Sequence, residues 1–369
     1  MDHLPARLLL ITAAVFTLCA CDAGGEPEPE IPWQPELDSA GWNEFAPGGD
    51  TRCARDTPYA YFVHPGTVNK LVVDFFGGGA CWNQSTCSIA DAIFEDSIDP
   101  IRDAIESESY RGIYDREDEA NPFKDWWHVV LPYCTGDVHW GNSSQIYGSG
   151  PNSFVIEHKG AVNSRAVLDW VYANFRAPEQ IFVTGCSAGS YGSALWSADI
   201  MRQYPDSRVV QFGDSGAGVI TESFFADSFP TWHAEEAFPT WIPSLDPATN
   251  DLLDAELPDL YAGIAGAYPN QKMSQYNTLL DDTQVYYYEV MGGGDAAEWS
   301  ALMLDSIGEI ESRADNFCAY LAGGEQHCIV TRNSFFTRES DGVLLVDWLG
   351  DLLDGSEQGS VRCADCGSP

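Results

Sequence analysis

The chain has 369 residues, 44% of them hydrophobic, enough to bury one large core or two small ones. Its 56 acidic residues against 18 basic ones give a formal net charge of −38, a surface that repels nucleic acid and anionic lipid headgroups and so argues against both as partners. No stretch repeats with a period of about 20 to 50 residues, which removes solenoids and propellers.

Residues 1–20 carry one arginine, Arg7, followed by an apolar run, the layout of a secretory signal rather than a membrane span. The run ends in LCAC, which resembles the bacterial lipobox; cleavage there leaves Cys21 as a lipid-modified N-terminus, and the alternative is cleavage near Ala20 with release. Residues 21–40 form a Pro/Glu-rich tether that cannot bury a core. Residues 41–369 are expected to form a single α/β domain, exported and held to a membrane only through the lipid, and monomeric.

An exported chain pairs most of its cysteines. Nine remain beyond Cys19 and Cys21, an odd number, and Cys186 is expected to be the free one because it lies inside a tight turn. Cys363 and Cys366 have a metal-like C-x-x-C spacing, but no second pair accompanies them, so a disulfide is expected.

Residues 59–63 and 70–76 predict two strands joined across His64-Pro65-Gly66. The second runs into Gly77-Gly78-Gly79. With neither a Walker lysine nor a G-x-G-x-x-G pattern, this run fits presentation of backbone N–H groups to an oxyanion rather than a phosphate cradle. Residues 88–110 suggest an acidic helical insertion. Residues 126–131 predict a strand that delivers the polar and aromatic loop PYCTGDVHWG, and residues 159–175 predict a helix.

Residues 180–193, QIFVTGCSAGSYGS, organise the rest. A strand, a glycine-flanked turn centred on Ser187 and a helix over 188–204 match the G-x-S-x-G nucleophile elbow. Ala188 then offers its N–H at a helix N-terminus, where the dipole favours a developing oxyanion. Strand 207–212 follows, ending at Asp214. Residues 221–269 are rich in Phe, Trp and Pro and suggest a lid. Residues 272–280 predict a strand, VYYYEV has strand propensity, 296–321 looks helical, and 342–353 is a last amphipathic helix.

Taken in order, FFGGGACWNQSTC, LPYCTGDVHWG, VTGCSAGS, FGDSGAG, DDTQ and EQHC resemble the motifs of the pectin acetylesterase and Notum family of serine esterases, over roughly residues 46–342. The resemblance implies an α/β-hydrolase fold with a mostly parallel sheet and helices on both faces. It also selects among residues that the sequence alone leaves open. The base could be His64, His128, His139, His158, His233 or His327; hydrolase order places it last, and His327 matches the family's His-Cys. Asp214, Asp281 and Asp282 compete for the acid, and the family's Asp-x-x-Gln maps to Asp281, leaving Asp214 a supporting role.

The implied mechanism has Ser187 as nucleophile, His327 as base, Asp281 as its orienting acid and Gly78, Gly79 and Ala188 as oxyanion donors, with no cofactor or metal. The family further implies the disulfides Cys53–Cys134 and Cys81–Cys87, and by elimination Cys318–Cys328 and Cys363–Cys366. The expected substrate is a short-acyl ester on a carbohydrate. Trp82, Trp126, Trp127, Trp140 and Trp232 are candidates to stack on sugar rings. A longer-acyl esterase, with residues 224–241 as its pocket wall, and a catalytically silent binding lipoprotein are the alternatives.

Overall fold

A computed structural model of the protein describes residues 34–88, 93–356 and 359–363, so the signal, Cys21 and most of the tether lie outside the described residues. The chain runs through β1 (Asn43–Phe45), β2 (Tyr61–His64), β3 (Lys70–Phe75) and β4 (Trp127–Leu131), then a separate antiparallel hairpin of β5 (Ser143–Tyr147) and β6 (Phe154–His158). It continues through β7 (Gln180–Cys186), β8 (Arg208–Asp214), β9 (Lys272–Thr278) and β10 (Phe317–Ala322). Apart from the hairpin, these strands make one eight-stranded sheet in the order β1-β2-β4-β3-β7-β8-β9-β10. The pairs β1–β2 and β2–β4 are antiparallel and every other pair is parallel.

The central strands β3, β7, β8 and β9 are buried along nearly their whole length because helices cover both faces, and β9 buries polar side chains as well as apolar ones. Strand alternation sends Val73 and Val183 to one core and their neighbours Val72 and Phe182 to the other. The first core is closed by α3 (Gly160–Asn174), α4 (Ala188–Gln203), α6 (Leu257–Ala267) and α8 (Ala296–Arg313); the second by α9 (Leu345–Asp354), which buries Leu345, Trp348, Leu349 and Leu352. The short α1 (Gln84–Cys87) and α2 (Asp99–Glu106) lie between β3 and β4, and α5 (Glu222–Trp232) and α7 (Asp282–Val290) flank the mouth of the sheet.

Four local expectations change. The strands at 61–64 and 70–75 are not a hairpin. β4 inserts between them, and the connecting Gly66 is pressed so closely on the start of β4 that a Cβ there would lie 2.3 Å from the Trp127 nitrogen. VYYYEV is helical, because Asp281 caps α7 by accepting from the Gln284 N–H, and this local bond outweighs β propensity. The helix read over 296–321 stops at Arg313. The buried run FCAYLA is instead β10, and a short apolar run has no periodicity to separate the two. In the acidic insertion only Asp99–Glu106 forms more than one helical turn, and residues 89–92 lie outside the described residues. Among the described residues no helix is long and apolar enough to cross a membrane.

Candidate active site

All the parallel strands point their C-terminal ends at one edge of the sheet, where α/β folds place their ligands. At the end of β7 the chain reverses into α4 through Ser187, whose φ of 57° and ψ of −122° match the first central position of a type II′ turn, one normally left to glycine and strained for a serine. The flanking glycines make this possible. A Cβ on Gly185 would lie 2.2 Å from the Gly189 carbonyl oxygen, and one on Gly189 would lie 1.8 Å from that of Phe75. The Ser187 N–H donates to the Asp214 carbonyl at 2.8 Å, which pins the turn to the neighbouring strand.

His327 stands on the loop after β10, with Nδ1 2.9 Å from both carboxylate oxygens of Asp281. A carboxylate accepts, so Nδ1 carries the proton and Nε2 is left free to act as a base. Asp281 is fully buried and accepts two further bonds, both from Gln284: the backbone N–H at 3.0 Å and the side-chain Nε2 at 3.0 Å. The Gln284 amide also donates to Asn277 and accepts from the Ala217 N–H, so it ties the carboxylate to β9 and to the loop after β8. DDTQ contains this glutamine, yet its bonds to the acid become visible only in three dimensions.

Asp214 does not touch the imidazole. Its Oδ2 accepts from the N–H groups of Ile329 at 2.7 Å and Val330 at 2.9 Å, and Ser215 Oγ donates to Oδ1 while accepting from the Cys328 N–H. Burial pushes its pKa up to about 6, and the two backbone donors work against that rise.

The glycine segment after β3 packs onto the elbow. Gly77 sits so close that a Cβ would meet the Cys186 carbonyl at 2.4 Å. Gly78 has φ 156° and its carbonyl accepts from the Glu95 N–H; Gly79, at φ 74°, abuts the Tyr287 hydroxyl. Gly79, Ala188, Ser187 and His327 all line one cavity, whereas Gly78 is not on its wall. No hydrogen bond joins Ser187 and His327 among the described residues.

The empty space of that cavity, with its open mouth, is about 1060 Å³. The segment after β8 walls it with Ile220, Phe224, Trp232, Phe238, Leu245 and Leu257, Met291 just past α7 adds to it, and α8 adds Trp299. Of the tryptophans expected at the site, Trp140 and Trp232 face the cavity. Trp126 and Trp127 are buried in the two cores and Trp82 is buried edge-on against Phe224.

Cys53–Cys134 and Cys81–Cys87 are paired as the resemblance implies. The expectation of a free Cys186 and a Cys318–Cys328 bond is overturned: Cys186 pairs with Cys328, and among the described residues Cys318 is the buried free thiol. Cys318 lies near the start of β10, and the four residues to its end span roughly 13 Å, so the loop beyond the strand carries Cys328 to the far edge. There it meets Cys186 at the end of β7, with Cα atoms 5.6 Å apart. The turn is not obstructed, because the Cys186 side chain packs on the core opposite the one carrying α4. Cys363 is also in a disulfide, while Cys366 lies outside the described residues. Cysteines meet a histidine at Cys81, Cys87 and His158 and at Cys186, His327 and Cys328, but in each group both sulfurs are spent in a disulfide and offer a metal no thiolate.

A strained serine elbow at the edge of a mostly parallel sheet defines an α/β hydrolase. Comparison with known proteins agrees. The pectinacetylesterase family model matches residues 46–233, just over half of the chain, and the chain belongs to that family, which makes it a carboxylic ester hydrolase. Its fold is similar to that of the Wnt deacylase Notum from Drosophila in two crystal forms. One is 17% identical with a TM-score of 0.60, covering 85% of this chain and 93% of that one; the other is 16% identical with a TM-score of 0.58, covering 86% and 96%.

Proposed function

We propose that the chain is a serine esterase whose acyl group lies in the apolar cavity and is longer than acetyl. Ser187 attacks the ester carbonyl and His327 Nε2 takes its proton. Asp281 holds the imidazole by Nδ1 and stabilises its charge, and the N–H groups of Ala188 and Gly79, with Gly78 behind them, receive the oxyanion. His327 then protonates the leaving alcohol, and water, deprotonated by His327, frees the acid.

The observation that carries this reading is the cavity onto which Ser187, Ala188, Gly79 and His327 open and whose remaining wall is mostly aliphatic and aromatic, with Ser215, Glu256, Thr283 and Gln284 as its polar members. An acetyl group would cover little of that wall. Each methylene buried there contributes about 0.8 kcal/mol. An acylated carbohydrate still fits as the alcohol half, outside the cavity. Export fits the disulfides, and lipidation at Cys21 belongs to the same proposal.

The test is hydrolysis of p-nitrophenyl acetate, butyrate, octanoate and palmitate, with Ser187→Ala beside the wild type. We expect kcat/KM to rise beyond acetate and turnover to fall at least roughly 10³-fold in the folded variant. Activity highest on acetate overturns the acyl assignment. An active Ser187→Ala protein overturns the serine mechanism.

A further inference from the structure

The loop PYCTGDVHWG contributes Val138 and Trp140 to the cavity wall, but its centre does something else. Val138 and His139 are consecutive non-glycine residues at positive φ, 51° and 67°, an uncommon backbone for any side chain and an outlier for a β-branched one. Asp137 over-determines this shape. Fully buried, it accepts from Thr135 Oγ1 at 2.6 Å, the Gly160 N–H at 2.7 Å and the His139 N–H at 3.3 Å. Gly141 and Gly160 leave it room: a Cβ on either would lie within 2.3 Å of its carboxylate oxygens.

The bend delivers the His139 ring into a fitted slot under the elbow. Phe75 meets the ring edge-on at 5.3 Å, Tyr133 lies at 5.0 Å, and helix α4 carries Gly192 where a Cβ would be 2.8 Å from the imidazole. There Nε2 is 2.8 Å from the Phe76 carbonyl. A carbonyl only accepts, so Nε2 bears the proton and Nδ1 faces Ser164 Oγ at 3.4 Å as the acceptor. Burial lowers the His139 pKa to about 4, which keeps the ring neutral, and the Phe76 carbonyl selects this tautomer. Phe76 is the residue before the glycine segment. Its N–H is already held by the Leu131 carbonyl, so the bond from His139 fixes the remaining freedom of the Phe76–Gly77 peptide.

We propose that His139 is a positioning residue for the oxyanion segment: by donating Nε2–H to the Phe76 carbonyl it aims the N–H groups that follow, above all Gly79, at the carbonyl undergoing attack. The proposal rests on the Ser187 reading above.

Three variants test it on p-nitrophenyl butyrate. His139→Leu removes the donor, His139→Gln restores an N–H of similar reach, and Gly192→Ala pushes the ring off its acceptor without touching it chemically. We expect His139→Leu and Gly192→Ala to lose kcat on the order of 10²-fold with KM within about threefold, and His139→Gln to recover most of the loss. Affinity for a trifluoromethyl ketone, which mimics the tetrahedral oxyanion, should fall in step with kcat, while that for the product acid should not. A folded His139→Leu or Gly192→Ala protein with wild-type kcat overturns the proposal, as does a His139→Gln protein as impaired as His139→Leu. If His139→Leu does not fold, Gly192→Ala and His139→Gln decide. Wild-type protein without Ser187-dependent turnover would instead overturn the underlying mechanism.

Discussion

Asp214 and Asp281 occupy corresponding places, one at the end of β8 and the other just past the end of the adjacent β9, and both are fully buried. Both also grip the same loop after β10. Asp281 holds the His327 ring, and Asp214 holds the backbone of Ile329 and Val330 two and three residues on. One carboxylate therefore orients the group proposed to move a proton, and the other positions the segment that carries it. The difference lies in their other partners. Asp281 has the Gln284 amide on one side and the imidazole on the other, whereas the donors of Asp214 are two backbone N–H groups and the Ser215 hydroxyl. Position at a strand end marks a carboxylate as important without saying which task it has.

The sharpest break between them is Asp281→Asn. An amide in place of the carboxylate leaves Nδ1–H without its charged partner and favours the other tautomer, so we expect kcat to fall roughly 10⁴-fold with the fold intact. Steady-state kinetics beside far-UV circular dichroism checks this, and a loss below about tenfold would return the acid's role to another residue.

A smaller effect comes from the bond that ties this loop to the elbow. Cys186 immediately precedes Ser187 and Cys328 immediately follows His327, closing a loop with a sequence separation of 142. Replacing both by Ser should cost about 4 kcal/mol of stability in urea unfolding, chiefly by freeing the unfolded chain. Turnover should stay within about tenfold, because Asp214 still holds the loop. The same protein distinguishes the thiols. Cys318 is buried with its pKa pushed up to about 12, so it should resist iodoacetamide until the wild type unfolds. A thiol in the described part of the chain that reacts in the folded state would contradict the pairing.

Much of this arrangement was legible in the residues. The elbow and the glycine run follow from local constraints on the backbone, whereas Asp281 and His327 were selected by resemblance to the family's motifs, and the structure brings Ser187 and His327 to one cavity. Cys186 was misread for a physical reason. A tight turn suggests crowding around its side chain, but strand alternation sends that side chain to the opposite core from the helix. The strand at 317–322 was hidden because six buried residues carry no period. The contact of His139 with Phe76 joins residues 63 positions apart, and the consecutive positive φ values that create it leave no mark in composition. Only the resemblance of DDTQ to the family's Asp-x-x-Gln separated Asp281 from Asp214, since without it the choice depends on which atoms of one distant loop arrive at each.

The smallest expected effect isolates Asp214 by titration. Its folded pKa, about 6, lies above the ordinary value of 3.8, so between these limits the native state retains a proton that the unfolded chain has released. Stability therefore falls as pH rises through this window and levels off above it, the opposite of a carboxylate whose pKa is depressed by an ion pair. Asp137, whose pKa is also raised to about 6, adds the same trend in every variant and cancels in a difference. Asp214→Asn cannot titrate, and it keeps a carbonyl oxygen for Ile329 and Val330 with an amide for Ser215. The stability of the wild type relative to this variant should thus drop by roughly 1 kcal/mol between pH 5 and pH 7 in urea unfolding, with turnover at pH 7 changed less than about tenfold. Parallel pH profiles would mean that the backbone donors hold Asp214 ionised throughout. A turnover loss approaching that of Asp281→Asn would mean that anchoring the loop and orienting the imidazole are one task shared by two carboxylates.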